Sequence, residues 1–136
     1  MIEEYISKDP GYKPFLIRDN WQIAKLNYLP ELGIGELKKI EVHHKTDEVF
    51  ILLKGTAALI AVEKKGIELS FDIVKMIVCI VYNIPKGMWH CIAMKEDAEV
   101  VIVENSNAHL GNYELYEMSK DQKKTLKAAI VLCVNK

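Results

Sequence analysis

The strongest constraint in this chain is the rhythm of its apolar runs. From Trp21 to Glu104 they are short, and each is cut by residues that break strands. Trp21–Tyr28 alternates loosely, then Pro30, Gly33 and Gly35 interrupt. Leu37–Leu53 holds two β-like stretches around the polar KTD, and Gly55 ends the second. Thr56–Val62 is β-prone, and Glu63–Gly66 (EKKG) reads as a hairpin turn. Ile67–Phe71 and Met76–Tyr82 follow, Pro85 and Gly87 punctuate again, and Met88–Met94 and Val100–Glu104 complete the series before the polar loop Asn105–Gly111. Runs this short cannot make packed helices, but they match strands. Their spacing predicts an all-β antiparallel barrel or sandwich. Only the C-terminus reads as a helix: Ser119 and Gln122 form a capping-box pattern, and Leu126, Ala129, Ile130 and Cys133 fall at helical spacing.

A chain of 136 residues is one domain in size. It is read as a single domain over 1–136, with a barrel core at about 21–117 and a helix at about 119–133. The 18 basic and 19 acidic residues nearly cancel and form no basic block, which argues against nucleic acid as a partner. The longest charge-free apolar run, Met76–Ile84, is far short of the roughly 20 residues that span a bilayer, so no membrane insertion is expected. Cys79, Cys91 and Cys133 form no CxxC pair. Together with an acidic start that lacks an apolar stretch, they point to reduced thiols in the cytoplasm.

Polar residues on inward faces carry the functional signal. If residues 42–52 are one extended strand, alternation puts Val42, His44, Thr46, Glu48, Phe50 and Leu52 on the core face, and Glu41, His43, Lys45 and Asp47 toward solvent. A bulge at Lys45–Asp47 would reverse the count and turn His43 inward. A buried histidine and carboxylate on one face need partners; pairing with each other or sharing a cation would satisfy both. In IPKGMWHCIAM, His90 shares a face with Met88, Ile92 and Met94, while Trp89 and Cys91 share the other. That opposition argues against a Cys91–His90 nucleophile pair. His109 falls in the polar loop, where exposure is expected.

These segments resemble the two motifs of the cupin superfamily. EVHHKTDEVFILLKG (Glu41–Gly55) is similar to the first motif, with an early glycine at about Gly35, a histidine at His44, a glutamate at Glu48 and a closing glycine at Gly55. IPKGMWH (Ile84–His90) matches the second in the spacing of Pro85, Gly87 and His90. The resemblance covers roughly Gly35–Glu104 and implies a double-stranded β-helix, a jelly-roll barrel. It further implies a divalent metal (Fe, Mn, Ni or Zn) held by His44, Glu48 and His90. The sequence departs from the family at Val42, where the first histidine of the HxH pair falls. In the shifted register His43 is the ligand and Glu41 takes that first place. Cys79 stands where the family has a glycine six residues before the proline, and Met94 where it has an asparagine.

Three readings follow. The chain binds a small molecule in the barrel; or it is a metal-dependent isomerase or oxygenase acting on a small metabolite; or it is an assembly protein. Phe50, Tyr82 and Met94 are the residues expected to line a ligand pocket, against the plainer alternative of core packing. Tyr82 and Glu104, near strand ends, are candidates for a general base. Pairing of sheets, common in cupins, implies a homodimer.

Overall fold

A computed structural model describes residues 1–136. Its ten strands are β1 (Gly11–Ile17), β2 (Gln22–Asn27), β3 (Lys39–His43), β4 (Glu48–Lys54), β5 (Ala57–Lys65), β6 (Glu68–Lys75), β7 (Val81–Ile84), β8 (Trp89–Met94), β9 (Glu99–Glu104) and β10 (Tyr113–Glu117), followed by the helix α1 (Lys120–Val134). They form two five-stranded sheets, ordered β1-β2-β9-β4-β7 and β10-β3-β8-β5-β6. All strand pairs are antiparallel. The fold is a jelly-roll β-barrel with one short C-terminal helix.

The inner faces meet in a packed core that includes Leu26, Phe50, Leu52, Ile92, Met94 and Ile102. A second core lies outside the β3–β8–β5 sheet. There Leu126, Ile130 and Val134 of α1 cover Ile40, Ile60, Val62 and Ala93. The helix starts where the sequence places it: the amide of Gln122 donates to Ser119 Oγ at 3.2 Å, and the amide of Ser119 donates to Gln122 Oε1 at 2.8 Å. The outer face of the other sheet has no helix. The N-terminal arm crosses part of it, where Lys25 Nζ and Asn27 Nδ2 donate to the carbonyl of Ser7 at 3.3 and 3.1 Å.

Three segments differ from expectation. The first sheet begins at Gly11, ahead of the expected barrel start. Pro14 hides β1 in the sequence, yet an edge strand with a bulge between Pro14 and Leu16 tolerates it. The second edge strand, β10 (YELYE), is too polar to stand out. Third, Met76–Tyr82 is not one strand. Its first part turns, the amide of Ile80 donating to the carbonyl of Ile77 at 3.2 Å, and pairing begins only at Val81.

Backbone sterics explain two motif positions. At Gly55 (φ +82°) an added Cβ would meet the backbone of Ala98 at 2.6 Å, so only glycine fits. Cys79 holds φ +77° without that freedom, a conformation that costs an L-residue about 1–2 kcal/mol. Cys79 is exposed, so removing its side chain leaves no cavity. Cys79→Gly is expected to stabilise the fold by about 1 kcal/mol in urea denaturation; a loss of stability would contradict the strain.

Candidate metal centre

The stretch read as continuous across residues 42–52 is two strands joined by a turn. β3 ends at His43 and β4 begins at Glu48. Side chains of the turn and its neighbours pin it. Thr46 Oγ1 accepts the amide of Asn105 at 3.0 Å, Asp47 Oδ1 accepts the amide of Lys86 at 3.0 Å, and the carbonyl of His43 accepts the amide of Gly87 at 2.7 Å. The turn restarts the count of faces. Ile40 packs outward with the residues of α1, the buried Val42 shares its face by alternation, and Glu41 and His43 point into the barrel. Glu48 and Phe50 keep the inward positions expected of them.

His44 is therefore corrected from an inward position to the surface. Its side chain is 48% exposed and pairs with Glu114 of β10. His43 takes the inward place, as the bulged register allowed.

Glu41, His43, Glu48 and His90 converge, with one ligating atom from each within 4.8 Å of all the others. Three strands supply them, and Glu41 and His90 are the cross-strand pair of the β3–β8 ladder. Glu48 sits between two imidazoles: its Oε1 is 2.9 Å from His90 Nε2 and its Oε2 is 3.2 Å from His43 Nε2. Glu41 approaches the same nitrogens at 3.7 Å (His90) and 3.9 Å (His43). Atoms bound to one cation at about 2.1 Å lie roughly 3–4 Å from each other, and the four imidazole–carboxylate distances fall near that range. The backbone aims His90. A carbonyl can only accept, so His90 Nδ1–H donates to the carbonyl of Met88 at 3.0 Å, leaving Nε2 facing the cluster. The Phe50 ring stands edge-on to His90, with centroids 5.9 Å apart.

Charge is compressed here. Burial would raise Glu48, but the bonds from His43 and His90 outweigh it and hold it at about 2. The bond to Glu48 raises His43. Burial pulls His90 down, but Glu48 more than reverses that, so His90 is raised as well. Burial and the charge of Glu48 raise Glu41.

A second polar group adjoins the first. Glu104 stands directly opposite Glu48 in the β4–β9 ladder. Burial, then the Glu48 charge, push it up to about 7. Tyr12 Oη donates to Glu104 Oε2 at 2.6 Å, and Gln22 Nε2 donates to Tyr12 Oη at 3.0 Å. Burial, then the bond to Glu104, raise Tyr12. His109, expected on the surface, is half-buried, with its Nδ1 3.2 Å from Gln22 Nε2. Nothing in the sequence signals Tyr12 or Gln22, because β1 and β2 meet β9 only in the folded barrel.

Of the expected pocket residues, Phe50 and Met94 pack in the barrel core, and Tyr82 Oη accepts the amide of Ile77 at 2.9 Å. A groove of about 660 Å³ lies instead between the β5–β6 hairpin and the Pro85–Trp89 turn, lined by Glu63, Ser70, Asp72, Lys86 and Met88 among others. It reaches Ala61, the cross-strand partner of His90. A similar groove at Tyr28, Met94 and Val134 is remote from the cluster.

No protein-family model matches the sequence, and no curated protein matches it. Solved structures do. A cupin-2 domain protein from Shewanella frigidimarina is 20% identical, with a TM-score of 0.53 over 74% of this chain and 84% of that one. The chain has the cupin fold. KdgF from Halomonas sp. is 12% identical with a TM-score of 0.54, over 77% of this chain and 89% of that one. A Streptomyces PAC13 variant solved with uridine is 8% identical with a TM-score of 0.58, over 90% of this chain and 97% of that one. In this cupin barrel, Glu41 occupies the place that the resemblance assigns to a first histidine in the shifted register.

The shifts fix the sign of a pH effect. Glu104, Glu41, His43 and His90 all hold protons more tightly in the folded chain, so their contribution to stability falls as pH rises through the raised values. Glu48 acts oppositely: its contribution is complete above 4.5 and is lost as pH falls toward about 2. The metal-free protein should therefore lose Tm steadily between about pH 5 and 8. A flat profile in calorimetry would count against the charged cluster.

Proposed function

We propose that this protein binds a divalent metal ion through Glu41, His43, Glu48 and His90, and that a small molecule reaches the ion's open position. The carrying observation is the 2.9 Å approach of His90 Nε2 to Glu48 Oε1 while Nδ1–H is committed to Met88. A nitrogen lone pair and a carboxylate that close need a cation between them, either a proton or a metal ion. Two imidazoles and two carboxylates suit Mn, Fe, Ni or Zn. Bound there, the ion would act as a Lewis acid toward a ligand oxygen.

The chain's own residues supply the rest. Met88 orients His90, Phe50 shields it on the core side, and the groove at Ala61, Ser70 and Asp72 supports approach of a small molecule from the barrel rim. This donor set and groove favour a metal-dependent reaction on a small metabolite, of the isomerase or oxygenase kind, over a purely structural role. The unpaired Cys79, Cys91 and Cys133 support a reducing compartment such as the cytoplasm.

Elemental analysis of the purified protein should find one divalent metal per chain. His90→Ala and Glu48→Gln should lose it, and His44→Ala should keep it. Absence of metal after exposure to Mn²⁺, Fe²⁺, Ni²⁺ and Zn²⁺ would overturn the reading.

A separate observation supports self-association. On the outer face of the β1–β7 sheet, Ile23, Val103 and Val49 form one cross-strand row, and Val101, Ile51 and Val81 form the next. Val81 is 63% exposed. No helix covers this face, and flat β-branched rows are the kind of surface that buries against a copy of itself. We therefore propose a homodimer through this sheet. Sedimentation should give a dimer for the wild type and a folded monomer for Val101→Asp; a monomeric wild type refutes it.

A further inference from the structure

One oxygen beside the cluster is without a donor. Glu104 is 5% exposed, and its Oε1 is buried with no hydrogen-bond partner. The other half of the residue is firmly held. Tyr12 Oη donates to Oε2 at 2.6 Å, and Gln22, itself 0% exposed, holds Tyr12 at 3.0 Å while accepting the amide of Asn107 at 2.7 Å. The carboxyl is clamped on one side and open on the other. The carboxyl lies beside the cluster, because Glu104 stands directly opposite Glu48 across the β4–β9 ladder. Two facing carboxyl oxygens need a hydrogen-bond donor or a cation between them.

We infer that Glu104 is a further residue of the metal centre, its Oε1 accepting a hydrogen bond from the water or ligand hydroxyl at the ion's open position. The inference rests on the metal reading above. An acceptor in that place sets the ligand class. To the ionised Glu104 carboxylate, water, an alcohol or an amine brings a donor; a carboxylate or phosphate oxygen brings none. No guanidinium offsets this, since the chain's one arginine, Arg18, lies on the surface paired with Glu3. The centre thus selects neutral, hydroxyl-bearing ligands over small anions. Tyr12 and Gln22 are positioning residues that keep the acceptor aimed.

Glu104→Gln keeps the shape and reverses the polarity. The amide oxygen still accepts from Tyr12, and the amide N–H now faces Glu48 and the cluster. Three measurements on purified wild type, Glu104→Gln and Tyr12→Phe read this out: Tm without metal, Mn²⁺ affinity by calorimetry, and oxalate affinity of the Mn²⁺-loaded proteins. Metal-free Glu104→Gln should melt above wild type, because its N–H satisfies Glu48. Its Mn²⁺ affinity should fall 10- to 100-fold, the range for residues that orient metal-bound groups, while its oxalate affinity should rise at least tenfold. Tyr12→Phe should weaken Mn²⁺ binding in the same direction and by less. This opposition of signs is something a merely structural residue would not produce. Unchanged Mn²⁺ and oxalate affinities in Glu104→Gln overturn the role of Glu104 and leave the four-residue centre standing. A wild type that binds no Mn²⁺ overturns both.

Discussion

Glu48 is buried between two imidazoles, and the polar end of the barrel is arranged around that charge. A carboxylate taken out of water is costly unless it is paired and hydrogen-bonded. Here both oxygens are engaged, one by His90 and one by His43. To bring those rings in, β3 must end at His43, the chain must turn through His44–Asp47, and β8 must start just past the Pro85–Gly87 turn. The bonds that pin these turns to Asn105, Lys86 and Gly87 use none of the four converging side chains, yet they decide which side chains reach the cluster.

The same barrel divides its surfaces unequally. One sheet has an outer face covered by α1, whose Leu126, Ile130 and Val134 complete a second core. The other sheet carries rows of valine and isoleucine on its outer face, with the N-terminal arm bonded to Lys25 and Asn27 beside them. Inside, apolar packing fills the space around Leu52 and Val100, and the polar groups gather where β3, β4, β8 and β9 end or begin. Concentrating carboxylates and histidines at one end couples them: burial raises the proton affinities of Glu41 and Glu104, while the bonds between Glu48 and the two histidines lower that of Glu48 and raise theirs. A metal ion held there would compete with protons for one set of atoms.

Much of this was legible in the chain. The rhythm of runs and breakers predicted the all-β barrel, and Ser119 with Gln122 marked the start of the helix. Glu48 and His90 occupy the inward positions expected of them, and Gly55 is held by a close approach to Ala98 that no other residue permits. Other features were hidden for physical reasons. His44 and His43 differ by one place in a strand, and one place is one face. The sequence admits a continuous strand or a bulge, and only the hydrogen bonds of residues 44–47 choose between them. The edge strands β1 and β10 carry a proline or polar residues because edges tolerate them, and this blunts the pattern that would reveal them.

By itself the sequence determined local matters: the lengths of the strands, the places where the chain breaks, the cap of the helix, and a polar residue among apolar ones at Glu48 and at His90. Those follow from backbone preference and alternation, which act over a few residues. Only the tertiary structure decided which polar groups share a site. Glu41 reaches His90 across a ladder, Glu104 reaches Glu48 across another, and Tyr12 arrives from the far edge of the sheet. These contacts join residues as many as 92 positions apart, and no local rule counts across such a distance. Burial then sets their charges, because the cost of losing water depends on what surrounds a group in space and not on what precedes it in the chain.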